Sequence, residues 1–519
     1  MLVLIVRISE GCADKRFWRG QSRMADIAGG RGAKQGLFAG QPAGLSTLFF
    51  TELWERFSYY GMRALLTQFI VSPIAAGGMA LTSVEAARIY GNYAMAVYLL
   101  SIPGGFIADR YLGARNAVLF GGSVIALGHY SLAVPTAAAF YLGLALVALG
   151  TGLFKPNISA MVGGLYKEGD ERRDAGFSIF YMGINIGGLL APILTGFLAQ
   201  SPQFQDMLRA WGLDPAMSWH WGFGAAGLGM TIGLAVFAYR SRVLGEVGKR
   251  PQRLPGSWAP SIAVLAGTLC VMALTILSDA PHFQWLRAAF LIAPIAAVVW
   301  FAMRGDIGGQ RLAAVFVFFI AAMIFWAIFE QAGITIALFS LELTRNEVFG
   351  WPFPPAWYQS LNPLFVILLA PVFAAVWLRL GARQPSSPVK FAFGLFFLGL
   401  SFLLMVPAAM LTAEGRISPL WLVGLFLLQT IGELFLSPVG LSTMTRLAPP
   451  HLVGLVLGVW FLAAAWGNKL AGILGSGFTS KDPGALAQFF LQQASMVGAA
   501  TLALIVIVPW LKQMMRGVR

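Results

Sequence analysis

Residues 51–63 read TELWERFSYYGMR, which sets Glu52, Glu55, Arg56 and Arg63 beside Tyr59 and Tyr60 inside an apolar run from about 45 to 71. A run of that length crosses a bilayer as a helix. Each charge at mid-membrane costs about 2.5–3.5 kcal/mol on insertion scales, so a span that keeps four of them must turn them toward protein or water. The spacing does so. Glu52 to Arg56, Arg56 to Tyr60 and Tyr59 to Arg63 are i,i+4 pairs, and Arg56 to Arg63 is i,i+7. One helix face therefore carries carboxylate, guanidinium, phenol and guanidinium in succession. Such a face can bind a charged solute and exchange a proton; it can also be an ion-pair lattice that locks helices together.

Polar groups enter other apolar runs at few places. They are Asn92, Tyr93 and Tyr98; Lys155 and Asn157 in GTGLFKPN; Asn185 in FYMGINIGG; Glu330 and Gln331 in FWAIFEQ; Asn362; Glu433 and Ser437; and Trp460, Trp466 and Asn468. Glu52, Glu55, Glu330 and Glu433 face the cations Arg56, Arg63 and Lys155, a sum of minus one. One bound proton makes the set neutral, and a zwitterionic substrate leaves it so. The count predicts a site that couples protons to a substrate with separated charges. Pro156, Pro363, Pro438, Gly183, Gly187 and Gly432 stand beside these groups, where helices bend or approach closely, and argue against a closed lattice.

The elements that position these groups are helices in a membrane. The 519 residues are 58% hydrophobic and only 11% charged, unlike a soluble enzyme. Repeated apolar runs of about 20 residues predict an all-α polytopic membrane protein. Fourteen such spans can be drawn, from 45–72 to 486–511. The net charge of +14 does not indicate nucleic acid, because the positive residues concentrate in alternate loops. One set holds Arg110 and Arg115, Lys167, Arg172 and Arg173, Arg240 to Arg253, Arg304 and Arg311, Arg379, Arg383 and Lys390, Arg446, and Lys512 to Arg519. The other holds only Arg88, Arg209, Arg345, Arg416 and Lys481. The first set, with both termini, is expected in the cytoplasm. Cys12 and Cys270 have no metal-ligand spacing, and four scattered histidines give no metal site.

The expected organisation is a disordered cytoplasmic segment over 1–44, with Met24 an alternative start, and a six-helix bundle over 45–240. A linker over 241–311 carries two extra spans, a second six-helix bundle covers 312–511, and 512–519 is a cytoplasmic tail. The two extra spans are apolar and read as lipid-facing accessories. Leu190-Ala191-Pro192-Ile193-Leu194 echoes Leu470-Ala471-Gly472-Ile473-Leu474, and Leu153-Phe154-Lys155-Pro156 echoes Leu434-Phe435-Leu436-Ser437-Pro438. The echoes pair spans 4 and 5 with 12 and 13, as two parallel six-helix halves would.

Four motifs resemble a known family. Glu52-x-x-Glu55-Arg56-Phe57-x-Tyr59-Tyr60-Gly61 is similar to the first-span motif of proton-coupled oligopeptide transporters. Phe180-Tyr181-x-x-Ile184-Asn185-x-Gly187 resembles their fifth-span signature, and Gly432-Glu433-x-x-x-Ser437-Pro438 their carboxyl-half motif. Gly104-Gly105-x-x-Ala108-Asp109-Arg110 with Gly113 resembles the cytoplasmic loop motif of the wider major facilitator superfamily. The resemblance implies that fold, in its bacterial fourteen-helix form, and a symporter importing di- and tripeptides with protons by alternating access. Arg56, Tyr60 and Lys155 would then receive the substrate carboxylate and Glu433 its amine, with Asn185 and Asn362 on its ends or backbone. Ser437 belongs to the same carboxyl-half motif. Glu52, Glu55 and Arg56 would couple protons, and Arg63 with Glu330 would form a gating salt bridge. Tyr59, Tyr98, Trp326 and Trp460 would line the cavity, and Asp109 and Arg110 would govern helix movement at the cytoplasmic face.

Three other readings stay open. A transporter of another small zwitterion or anion would lack Arg56, Lys155 or Glu433, and all three are present. A non-transporting peptide sensor would keep them. An intramembrane hydrolase would need a nucleophile with its base; Ser159, four residues after Lys155, offers a dyad without an oxyanion site. The expectation is no enzyme and no cofactor beyond protons as coupling ion, in a monomer of the bacterial inner (plasma) membrane.

Overall fold

The structure, a computed structural model, describes residues 37–167, 169–251, 257–304, 306–448 and 453–515. Of the segment 1–44 expected to be disordered, residues 1–36 with the alternative start at Met24 lie outside them, as do Arg253, Arg516 and Arg519; its last two residues, Ala43 and Gly44, are helical.

Among the described residues, fourteen helices of 19 residues or more fill the apolar runs. They are α1 (Ala43–Val71), α2 (Ser83–Ile107), α3 (Ala114–Leu132), α4 (Ala137–Gly164), α5 (Arg172–Gln200), α6 (Ser218–Arg240), α7 (Ala259–Leu277), α8 (Trp285–Met303), α9 (Ile307–Phe329), α10 (Leu361–Leu380), α11 (Ser387–Leu411), α12 (Leu420–Leu447), α13 (Val453–Gly475) and α14 (Pro483–Met515). Ten helical stretches among the described residues are long and apolar enough to cross a membrane: those containing α4 to α12, and α14. Hydrocarbon offers no partner to a peptide group, so a spanning segment must bond its own backbone, and a helix does this within itself. α7, α8 and α10 bury few of their apolar side chains, leaving a surface that lipid would cover. Turn chemistry starts several helices. Thr136 accepts from the Ala139 N–H ahead of α4 at 3.2 Å, and Asp306 from the Gly309 N–H ahead of α9 at 3.0 Å. In the α4–α5 loop, hydrogen bonds from the Arg172 side chain and backbone hold the Asp170 carboxyl down to about 2.

The chain forms two compact units. One holds the residues up to Leu65 with Ala96–Val271; the other holds Leu66–Met95 with everything from Met272. In the first, α3 packs on α4 and α6, and α5 packs on α6. In the second, α11 packs on α12 and α14, α9 on α13, α8 and α14, and α10 on α12. The core of the second unit is aromatic: Phe318, Phe325, Phe339, Phe391, Phe402, Phe426 and Phe490 are fully buried. The cut through α1 and α2 has a local cause. Beyond Leu65, Gln68 donates to the Ala337 carbonyl at 3.0 Å and Thr67 to the Gly333 carbonyl at 2.5 Å.

The ninth apolar run, residues 312–340, is interrupted. α9 stops at Phe329, a single tight turn follows over Glu330–Gly333, and a short helix resumes over Thr335–Glu342. The break exposes carbonyls that a continuous helix would satisfy, and side chains collect them. Thr67 takes Gly333 O, Gln359 takes Ala332 O at 2.6 Å, and the Tyr90 ring fills the space over Gly333, where a Cβ would meet its hydroxyl at 2.2 Å. Apolar periodicity carries no trace of this, because every residue through the break is still buried.

Candidate functional site

α1 is held against α5 by backbone approach at Gly187. A Cβ there would stand 2.3 Å from the Leu53 carbonyl and 3.1 Å from the Arg56 Cβ. Any larger residue pushes away the turn that carries Arg56. Gly187→Ala is therefore expected to lower stability by about 1–3 kcal/mol, the usual cost of overpacking. Gly224→Ala, whose Cβ meets only Ala133 at 3.7 Å, should stay within about 0.5 kcal/mol of the parent. Unfolding midpoints of the two purified variants check this.

On that turn Arg56 lies between two carboxylates. Its Nε stands 3.1 Å from Glu52 Oε1 and also donates to Glu55 Oε2. Glu52, Glu55 and Arg56 are 3%, 0% and 4% exposed, so the triad is out of water with a formal charge of minus one. Among the described residues, the buried atoms Glu52 Oε2, Glu55 Oε1 and Arg56 Nη2 have no hydrogen-bond partner. Two acceptors and one donor are thus left for a proton and an anionic oxygen, since buried polar atoms otherwise find partners. The Arg56 guanidinium lies 5.1 Å from the Tyr59 ring centre, and Arg63 5.8 Å from that of Tyr60. Tyr59 and Tyr60 meet edge to face.

Lys155, on α4 just before Pro156, joins this group. Its Nζ sits 4.2 Å over the Tyr98 ring, and its charge acts on Glu52. Ser159 Oγ donates to the Lys155 backbone carbonyl at 3.3 Å, an ordinary intrahelical bond and not the hydroxyl–amine contact a hydrolase dyad requires. Asn185 donates to the Tyr181 carbonyl at 2.9 Å and is buried on α5. The first unit thus gathers Glu52, Glu55, Arg56, Tyr59, Tyr60, Tyr98 and Lys155 around α1, with Asn185 on α5 two residues before the close approach at Gly187.

The second unit carries its own polar group. Asn362 donates to Glu433 Oε2 at 2.9 Å and to Thr430 Oγ1 at 3.1 Å, and these bonds tie α10 to α12. Gln429, Glu433 and Ser437 follow at four-residue intervals on one face of α12. Gln429 is fully buried, and among the described residues neither its amide nitrogen, its amide oxygen nor the Ser437 hydroxyl has a hydrogen-bond partner. Sequence reasoning passed over Gln429, although its spacing from Glu433 is the signal that exposes it. Trp326 packs edge-on against Phe325 and Phe329. Trp460 is buried against Gly440 and 6.4 Å from the Phe391 ring. Glu330 accepts from the Tyr90 hydroxyl at 3.3 Å.

Asp109 and Arg110 sit in a wide turn, Ala108–Leu112, that ends α2 at Gly113, whose φ of 75° suits glycine. Arg110 lies over the Phe106 ring at 4.2 Å, and Asp109 is exposed. The segment after α6 straps this turn. Tyr111 stacks on Trp258 at 3.5 Å, and Arg250 donates to the Tyr111 carbonyl at 3.0 Å.

The charge count taken from sequence omits two charged groups, the buried Lys469 on α13 and the half-buried Asp279 after α7. They pair at 2.6 Å, so the sum of minus one is unchanged. Lys469 stands six residues before the end of α13, next to Asn468. A cation at that depth is a visible signal.

The sequence matches the POT family over residues 115–490. It is 40% identical over 502 residues, 91% of this chain and 95% of its relative, to the peptide transporter YePEPT of Yersinia enterocolitica. It is 39% identical over 450 residues, 82% of this chain and 87% of the relative, to a di-/tripeptide transporter of Lactococcus lactis. The fold superposes on a crystal structure of a peptide transporter POT in complex with alafosfalin, with a TM-score of 0.82 and 38% identity over 96% of this chain and 99% of that one. With the four motifs in place on α1, α2, α5 and α12, this chain belongs to the POT family, the proton-coupled oligopeptide transporters.

Proposed function

We propose that the protein is a proton-coupled symporter that imports di- and tripeptides by alternating access. The observation that carries this reading is the buried Glu52–Arg56–Glu55 triad, one negative charge in excess and with a donor and two acceptors to spare. Guanidinium and ammonium groups read a carboxylate, and a carboxylate reads an ammonium. Arg56, Tyr60 and Lys155 are assigned to the peptide's carboxyl end, Glu433 to its amine, and Asn185 and Asn362 to its ends or backbone. Fixed charges for the two termini leave side chains free to vary, which suits a substrate class instead of one substrate. Tyr59, Tyr98, Trp326, Trp460 and Ser437 are assigned to the walls around those side chains. Glu52 and Glu55 exchange the proton. Arg63 and Glu330 are assigned to a gating pair, and the Tyr90 hydroxyl donates to Glu330 beside it. Charge alternation in the loops supports both termini in the cytoplasm of a bacterial inner membrane, and the protein acts as a monomer in the bilayer.

Uptake of labelled dialanine into proteoliposomes tests the reading. An imposed inward proton gradient should concentrate the label, unlabelled tripeptide should block it, and free alanine should not. Absence of both uptake and dialanine binding would assign the fold to another small solute. Binding without uptake would make the protein a sensor.

A further inference from the structure

The α7–α8 hairpin is not only an apolar accessory. Its turn places Asp279 between two helices of the second unit's core, the first half of α2 and the end of α13. Lys469 Nζ on α13 donates to Asp279 Oδ2 at 2.6 Å and to Asn92 Oδ1 at 2.6 Å. The Asn92 amide donates to the same Asp279 Oδ2 at 3.1 Å. The three groups close a triangle. Arg287, at the start of α8, donates to the Ser278 carbonyl at 2.9 Å and reaches Asp279 Oδ1 at 3.4 Å, which fixes the turn. Lys469 is 5% exposed, and the Asp279 side chain 11%. One residue away, α2 and α13 touch through backbone: a Cβ on Gly91 would lie 2.8 Å from Gly472 Cα, and one on Gly472 2.7 Å from the Ala87 carbonyl. A small gap lined by Val84, Arg88, Gly91, Ile473 and Ser476 opens beside the cluster.

α2 belongs by sequence to the first six-helix half and α13 to the second. In alternating access, helices of opposite halves part at one membrane face at a time. The α1–α2, α7–α8 and α13–α14 turns all fall in the arginine- and lysine-poor set, so this contact stands on the outer side of the orientation proposed above. We propose that Asp279 is a gating residue of the transport cycle: through Lys469 and Asn92 it fastens the outer ends of α13 and α2 together. Within the triangle the Lys469–Asp279 contact is an ion pair and the Asn92 contacts are to a neutral amide. The amide is the weaker link, so opening breaks the bonds to Asn92 while the hairpin stays with α13. The extra helices thus add a fastener to the gate that a twelve-helix chain would lack.

The inference rests on alternating access, and its test reads opening without any substrate, so it survives or fails apart from the peptide assignment. Cys12 and Cys270 are replaced by serine, and Ser476→Cys is labelled in intact vesicles by a membrane-impermeant maleimide. Asp279→Asn removes the charge with little change of shape and should raise the labelling rate at least about fivefold, the lower end of a typical coupling. Exchanging the partners, Asp279→Lys with Lys469→Asp, in a chain that also carries Arg287→Gln so that the new lysine meets no guanidinium, should bring the rate back toward the parent, because the Asn92 amide can donate or accept. Asn92→Ala leaves the ion pair whole and should raise labelling in the same direction; it decides the matter if Asp279→Asn fails to fold. Unchanged labelling in a folded Asp279→Asn or in Asn92→Ala overturns the proposal, and so does a raised rate that the exchange leaves unrestored.

Discussion

Glu55→Gln protein should fail to concentrate dialanine against a gradient while still exchanging internal for external dialanine. The argument begins with charge. Glu52, Arg56 and Glu55 are buried together with a sum of minus one, and a buried uncompensated charge is costly. One proton on the triad removes that charge. The substituted amide keeps the shape and can still present an oxygen to Arg56, but the remaining Glu52–Arg56 pair is neutral with no proton bound. The carrier then has no electrostatic reason to take up a proton before it moves, and the proton gradient no longer enters its cycle. A potential of 100 mV is worth about 2.3 kcal/mol per elementary charge, roughly fiftyfold in concentration. Accumulation of that order should fall to the level seen without a gradient. Exchange needs only binding and reorientation of the loaded carrier, and it should persist. Proteoliposome uptake and counterflow, measured side by side, separate the two. Accumulation by Glu55→Gln protein at the parent's level would remove Glu55 from proton coupling.

The sequence made the helices legible because membrane spans are the simplest case of physical constraint. Hydrocarbon forces long apolar runs, and charge asymmetry orders the loops between them. The first-unit cluster was legible for the same reason: Glu52, Glu55, Arg56 and Lys155 are expensive where they stand, and i,i+4 spacing puts Glu52 and Arg56 on one face. Their mutual geometry was not legible. Nothing in the spacing says that Arg56 bridges both glutamates through Nε and keeps Nη2 in reserve. The break after Phe329 was hidden because its residues are buried whether the helix continues or not; only the distant Thr67, Tyr90 and Gln359 reveal it. Asp279 escaped notice because it lies in a turn, where carboxylates are ordinary, and its meaning comes from Asn92 and Lys469, about 190 residues away on either side. Long-range pairs of this kind are set by tertiary packing and leave no local pattern to read.

The second large effect is expected at Lys155, and it depends on which end of the peptide is changed. Lys155 is held by the face of Tyr98 and lies within electrostatic reach of Glu52, so its ammonium is oriented and partly desolvated. Arg56 is already shared between two glutamates, so its positive charge is more than compensated before a substrate arrives. A peptide carboxylate brings a further full negative charge, which Arg56 alone does not neutralise. Lys155 supplies the missing cation. A hydrogen bond to a charged group contributes about 1.5–3 kcal/mol, or roughly 10- to 150-fold in affinity. Lys155→Ala should therefore weaken dialanine binding within that range. A dialanine carboxyl-terminal amide has no charge for Lys155 to meet, so its weaker binding should change by less than about threefold. The amine end, assigned to Glu433, is the same in both ligands and cancels from the comparison. Binding of the two ligands to purified parent and variant gives the four numbers of a cycle, whose coupling term isolates the Lys155–carboxylate contact. A coupling term near zero, with both ligands weakened equally, would mean that Lys155 shapes the site without touching the carboxylate.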